Sequence, residues 1–183
     1  VNKIPVKKHD HVLIPAGTVH CSGADTMVLE ISATPYIFTF KLWDWGRVDL
    51  DGKPRPIHLE HGAANIQWYR NTEWVHRNLV NAVAEVYTGE NGTVVRTGLH
   101  EREFLDTFRF TTSSALPVHR NGSVHMLNLV DGTRAVLRSK SDAFLPLELH
   151  YAETCIVPQA AGDYEIYSPD GSEVKVILAC VRN

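Results

Sequence analysis

The chain has 183 residues, 44% of them hydrophobic and 21% charged, which is enough apolar content to bury a core in one large or two small domains. A formal net charge of -3 supplies no broad basic surface, so nucleic acid and an anionic membrane are excluded as partners and only a local cationic pocket for a small anion stays open. No apolar run approaches the roughly 20 residues of a bilayer span, and Val1-Asn2-Lys3-Ile4-Pro5 lacks the apolar core of a signal peptide, so a cytosolic location is expected. The first residue is not Met, and the chain is expected to be a piece of something longer.

Short apolar runs punctuated by Gly, Pro, Asn and Asp predict a mostly β protein. In chain order, strands are expected at 11–14, 27–31, 36–42, 82–88, 93–97, 104–110, 123–129, 133–139, 147–149, 154–157, 164–167 and 173–181. Between them, residues 49–71 are rich in Pro, Gly and His and read as a connector, followed by a short helix over 72–81 with Thr72 as its cap. Asn91-Gly92, Asn121-Gly122, Asp131-Gly132 and Asp170-Gly171 tolerate the positive φ of tight hairpins, and a hairpin is expected about Asp131-Gly132. Cys21, Cys155 and Cys180 are too scattered for a disulfide framework and each adjoins an apolar run, so they read as reduced core thiols.

An internal echo organises these elements. Ile14-Pro15-Ala16-Gly17 before the 27–31 run is matched by Val157-Pro158-Gln159-Ala160-Ala161-Gly162 before the 173–181 run, the order expected of two related barrels. His20 follows Gly17 by three residues, whereas Asp163-Tyr164-Glu165 follows Gly162, so the second barrel is expected to be free of metal.

His20 is the leading candidate ligand, since a His leaving a Pro-x-Gly turn onto a barrel strand points inward and neutral imidazole suits zinc or iron. The alternative is a core His satisfied by backbone groups, and a metal needs about three protein ligands in any case. His9 and His11 share one strand face, but alternation does not bring them to His20 and no carboxylate follows at a useful spacing. His58 and His61 read as connector residues because Pro54 and Pro56 disfavour a helix. The remaining histidines, His125 among them, read as structural or solvated. The run Phe38-Thr39-Phe40-Lys41-Leu42-Trp43-Asp44-Trp45-Gly46-Arg47 places cations beside tryptophans, an arrangement in which indole stacks on sugar C–H groups while Lys or Arg holds a phosphate. Its plainer reading is an amphipathic strand that closes a barrel floor. Fingerprints of serine hydrolases, P-loops and dinucleotide folds are lacking.

Pro15-Ala16-Gly17-Thr18-Val19-His20, Val28-Leu29-Glu30-Ile31 and the run Leu42-Trp43-Asp44-Trp45-Gly46-Arg47-Val48-Asp49-Leu50-Asp51-Gly52-Lys53-Pro54-Arg55-Pro56-Ile57-His58 closely resemble the bacterial class I mannose-6-phosphate isomerases. Tyr151 to Pro158 and Gly162-Asp163-Tyr164 are similar to the C-terminal barrel of that family. The resemblance implies a cupin, or jelly-roll double-stranded β-helix, with residues 1–48 as the C-terminal portion of a first, metal-site barrel, 49–74 as connector and 75–183 as a second, metal-free barrel. It implies interconversion of mannose 6-phosphate and fructose 6-phosphate by proton transfer through a cis-enediol, with zinc in the first barrel. His20 matches the last zinc ligand; the family's Gln-x-His pair and Glu have no counterpart here, so the zinc site is expected to be incomplete and the isolated chain inactive. Lys41 stands where the family carries a catalytic, substrate-binding Arg, and Lys lacks the planar fork of Arg. Arg47 joins it as a substrate-binding candidate. The alternative function is a non-catalytic cupin module for sugar binding or assembly, and self-association through open strand edges is expected. An iron oxygenase has little support, since its two-His-one-carboxylate triad is not visible.

Overall fold

Alternation of apolar and polar side chains builds ten strands in the second half of the chain. They are β1 (Ala84–Gly89), β2 (Gly92–Arg96), β3 (Leu105–Thr112), β4 (Ala115–Val118), β5 (His125–Asp131), β6 (Arg134–Ser139), β7 (Leu147–His150), β8 (Thr154–Val157), β9 (Tyr164–Tyr167) and β10 (Val174–Val181). The structure is a computed structural model that describes residues 2–33 and 39–182, and it divides into two units, Val1–Asn81 and Ala82–Asn183.

In the second unit a six-stranded sheet of order β1-β2-β3-β10-β5-β8 faces a four-stranded sheet of order β4-β9-β6-β7, all pairs antiparallel. This is the double-sheet jelly roll, mostly β as the sequence predicts. Leu127 and Leu129 of β5, Leu116 and Val118 of β4, Leu137 of β6, Ile166 of β9 and Val174, Val176 and Leu178 of β10 turn inward and are buried. The side chains between them, such as Met126 and Ile156, turn out. Each such Leu, Ile or Val contributes roughly 1.5–3 kcal/mol through burial.

Of the four glycine turns, one forms the hairpin its sequence suggests and three do not. Asn91-Gly92 joins the paired strands β1 and β2 in a hairpin. Asp131-Gly132, by contrast, carries the chain from β5 in one sheet to β6 in the other, and β6 pairs with β7 and β9. The hairpin expected there is therefore corrected to a crossing between sheets. Asn121-Gly122 and Asp170-Gly171 cross likewise, from β4 to β5 and from β9 to β10. Gly132 is required at its corner: its φ is +87° and an added Cβ would lie 2.8 Å from Val174 Cγ1. β4 was not expected; its Pro117 suits the edge position it occupies.

The first unit is held by helices α1 (Leu59–Asn65) and α2 (Thr72–Asn78). The strands expected at 11–14 and 27–31 do not form ladders: Val12 makes one isolated bridge with Val80, and residues 27–31 pair with nothing of strand type among the described residues. A strand exists only by pairing, and apolar alternation alone does not supply the partner. The expected strand at 36–42 lies partly outside the described residues, and its described end, 39–42, is irregular. α1 lies inside the predicted connector, beginning just past Pro56, where the proline restriction ends. α2 is capped by Asn71, whose Oδ1 accepts from the Trp74 amide at 3.0 Å, so the cap is one residue earlier than Thr72. Among the described residues no helix is long and apolar enough to cross a membrane.

Candidate functional site

Lys41 and the tryptophan run are positioned by α1. The Lys41 amide donates to His58 Nδ1 at 3.2 Å and the His58 amide donates to the Lys41 carbonyl at 2.7 Å. Phe40 stacks on His61 with ring centroids 5.8 Å apart. Leu42 packs directly on buried Gly62, where a Cβ would lie 2.3 Å from Leu42 Cδ2. His58 and His61, read as connector residues, thus hold the backbone of the candidate site in place.

Beyond Leu42 the chain turns back on itself. Trp45 and Gly46 both have positive φ, 52° and 65°, and the Arg47 amide donates to the Asp44 carbonyl at 2.9 Å, the pattern of a type I′ turn. The Arg55 amide returns to the Arg47 carbonyl at 3.0 Å, Val48 bridges to Pro54, and Asp49 Oδ1 caps the far end by accepting from the amides of Asp51 and Lys53, each at 2.9 Å. The closure is electrostatic. Arg55 grips the buried Asp44 carboxylate with Nε at 2.6 Å from Oδ2 and Nη2 at 2.7 Å from Oδ1, the two-point contact that only a guanidinium makes. Lys41 Nζ stands 3.7 Å from the same Oδ2. The Arg55 hydrogen bonds, assisted by the charges of Arg55, Lys41 and Arg47, hold the Asp44 carboxyl below the usual carboxylate range.

This frame presents two aromatic faces to solvent. Trp43 and Trp45 are 66% and 60% exposed with ring centroids 4.6 Å apart, and the Arg47 guanidinium lies 5.1 Å over the Trp45 ring. Adjacent exposed indoles offer faces on which a ligand can stack, and Trp45 occupies a backbone region unfavourable to a bulky residue. Lys41, Asp44, Arg47 and Arg55 form one electrostatic cluster. Asp44, its only carboxylate, is ionised and already engaged, so the cluster can bind an anion and a sugar face more readily than it can accept a proton.

His20 is placed differently. The turn before it closes with the Thr18 amide donating to the Pro15 carbonyl at 3.2 Å, and Gly17 takes φ +81° as the third turn residue requires. The Gln67 amide, just past α1, donates to the Gly17 carbonyl at 2.9 Å. Arg70 Nη1 reaches the carbonyls of Pro15 and Ala16 at 3.1 and 2.8 Å and Thr18 Oγ1 at 2.5 Å, with its guanidinium over the rings of Tyr69 and Trp74. His20 itself is exposed, with Nδ1 2.9 Å from the Thr18 carbonyl. No hydrogen bond or ion pair among the described residues ties it to Lys41 or Arg47.

Zinc requires several convergent donors, and among the described residues no group of three or more His, Cys, Asp or Glu side chains converges closely enough to hold a metal ion. The residues present do not complete a zinc site; His20 can offer one nitrogen. The cysteines are free, but Cys21 is exposed and so is not the core thiol expected of it. Cys155 and Cys180 are partly and fully buried, and burial raises the Cys155 thiol to about 11, which makes it inert.

Sequence reasoning missed the Asp44–Arg55 clamp and the Arg70 brace. Arg55 carried a signal, standing between Pro54 and Pro56, which fix the backbone on both sides of it. Arg70 carried none, because its partners lie 52 to 55 residues away.

No family model matches the chain. Among curated proteins it is 37% identical over 60 residues to mannose-6-phosphate isomerase of Streptococcus mutans, which covers 33% of this chain and 19% of that protein. It is 35% identical over 67 residues to mannose-6-phosphate isomerase of Bacillus subtilis, 37% of this chain and 21% of the relative. The match therefore spans about a fifth of the length of these relatives. Among solved structures, mannose 6-phosphate isomerase from Bacillus subtilis superposes with a TM-score of 0.53 at 13% identity, covering 75% of this chain and 38% of that one. Phosphomannose isomerase from Salmonella typhimurium gives 0.51 at 15%, covering 72% and 30%. The structural likeness establishes the fold, and the sequence likeness carries the kinship: over part of its length, this cupin-type chain is related to the mannose-6-phosphate isomerases.

Proposed function

We propose that this chain supplies the sugar-phosphate mouth of a mannose-6-phosphate isomerase, with Trp43 and Trp45 as the platform for the sugar, Arg47 as the cation for its phosphate and Lys41 as the cation beside the reacting end of the sugar. The observation that carries the reading is the Arg55–Asp44 clamp: it spends one cation on structure and fixes a turn that presents two exposed indoles beside two further cations. The relationship to curated isomerases supports the choice of ligand. In isomerisation between mannose 6-phosphate and fructose 6-phosphate, Lys41 would stabilise charge developing on a substrate oxygen. His20 would contribute one ligand to a zinc whose other donors are not among the described residues, and no step of the reaction can be assigned to that metal from them. The 183-residue chain is accordingly expected to bind the sugar phosphate without isomerising it.

Calorimetric titration of the chain with mannose 6-phosphate and fructose 6-phosphate, alongside a zinc-supplemented isomerase assay, tests this. Saturable binding that Arg47→Ala and Lys41→Ala each weaken supports the reading. Binding no stronger than that of inorganic phosphate, or binding untouched by either substitution, overturns it. Binding by the full-length gene product with no isomerase activity would favour a non-catalytic sugar-binding module.

A further inference from the structure

The second unit contains a cavity of about 650 Å³ inside the jelly roll. Its walls are Val94, Phe108, Phe110 and Leu178 from the six-stranded sheet and Leu116 and Val118 from β4, the edge of the facing sheet. The volume is that of a site for a small organic molecule, within the range of about 300–1,000 Å³ that such pockets occupy.

Three features indicate a built site and define its ligand. The first is the backbone of β1. Neighbouring strand residues normally face opposite sides of a sheet, yet Val86 and Tyr87 both line the cavity. The register shifts between Glu85 and Tyr87, leaving Val86 unpaired, and this bulge turns both side chains to the same rim. The second is a buried polar wall of the cavity whose groups are paired with one another, so a ligand's own polar end is left to the rim. His125, 2% exposed, has Nδ1 2.9 Å from the Tyr164 hydroxyl and Nε2 3.1 Å from Asn121 Oδ1, and Asn121 Nδ2 lies 3.2 Å from Cys180 Sγ. With Asn121 accepting from Nε2–H and Tyr164 donating to Nδ1, the ring is fixed as one neutral tautomer. The third is charge. No Lys or Arg lines the cavity, and the one carboxylate that does, Asp106, is engaged by Arg96 and Arg182. His119, also on the wall, has Nδ1 2.8 Å from Asp163 Oδ2, so a sugar phosphate would find no free counter-charge there, and an organic cation no carboxylate to spare.

We infer that the second barrel is a binding site for a small uncharged molecule with an aromatic or branched aliphatic body and a single hydroxyl or carbonyl end. The body fills the space between β3, β4 and β10, and the polar end lies at the rim, where Tyr87, Asn91 and His119 supply polar side chains. This site is independent of the sugar-phosphate mouth, which belongs to the other unit.

The test titrates the full chain with the neutral fluorophore N-phenyl-1-naphthylamine, followed by emission and by the His125 imidazole signals in NMR spectra. Saturable binding at one site per chain, with the His125 signals shifted, is expected. Val94→Phe fills the cavity and Val86→Trp fills its rim, and each is expected to weaken binding at least about tenfold. Leu50→Ser, which removes an exposed apolar side chain of the first unit, is expected to leave it unchanged. Val86 is 56% exposed, so Val86→Trp decides the matter even if Val94→Phe compromises folding. Binding that survives Val86→Trp, binding lost in Leu50→Ser, or no saturation overturns the site. Displacement of the probe by mannose 6-phosphate overturns the assignment to uncharged ligands, without bearing on the sugar-phosphate mouth.

Discussion

His125 occupies a position in β5 that alternation assigns to the core, between Ser123 and Leu127, and a neutral ring there costs little because both its nitrogens are partnered. Burial, assisted by the nearby positive charge of Arg120, lowers its pKa from 6.5 to about 4. Protonation therefore favours the unfolded chain, and stability that is complete above pH 6.5 is lost as the pH falls toward 4, by on the order of 2–3 kcal/mol. Urea denaturation at a series of pH values should show that slope, and His125→Gln should flatten it between 6.5 and 4.5; an unchanged slope would remove His125 as its cause. The sequence could not announce this role, since a buried His and a solvated one look alike until the partner Tyr164, 39 residues away, is in place. Arg55 makes a sharper case. Arg55→Lys keeps the charge but loses the two-point grip on Asp44, and the turn at Trp45 should open. Tryptic cleavage after Arg47 is the measure: it should accelerate in the variant, and an unaltered rate would mean that the clamp does not hold the loop.

At the scale of elements, the turn from Pro15 to Thr18 shows how a short motif is read correctly in shape and incompletely in context. Its glycine was legible, and the positive φ is present. What could not be read is that Asn65 and Gln67 crowd the same glycine, so that a Cβ would lie 2.6 Å from the Asn65 carbonyl oxygen. Gly17→Ala should accordingly lower stability by at least about 1–2 kcal/mol, the conformational cost alone, as a shift in denaturation midpoint; a neutral outcome would mean the turn is not docked on that segment. The strands of the second unit were legible because period-two burial is local information. Their pairing was not: Asp131-Gly132 has the composition of a hairpin turn but sits at a corner between sheets, and composition does not say which strand lies alongside. The short helix α1 was hidden for a similar reason. Its seven residues carry little helical signal, and it is held by Phe40, Lys41 and Leu42 rather than by propensity.

For the whole molecule, the division into two units has a direct expression in the core. Every member of the buried cluster from Val94 to Cys180 belongs to the second unit. Residues 82–183 expressed alone should therefore give a dispersed NMR spectrum and one cooperative unfolding transition, whereas a collapsed, non-cooperative product would show that the first unit is needed to complete that core. Near the end of β10, Arg182 adds a lock, hydrogen-bonding to the carbonyls of Gly98, His100 and Leu105 and pairing with Asp106. β10 itself lies between β3 and β5, both of which precede it in the chain by tens of residues. Until that late strand slots in, its two neighbours stand as bare edges with a strand-wide gap between them. A gap of that shape accepts the equivalent segment of a second molecule as readily as its own, so concentrated refolding is the condition under which entangled dimers, exchanging β10 between copies, would accumulate.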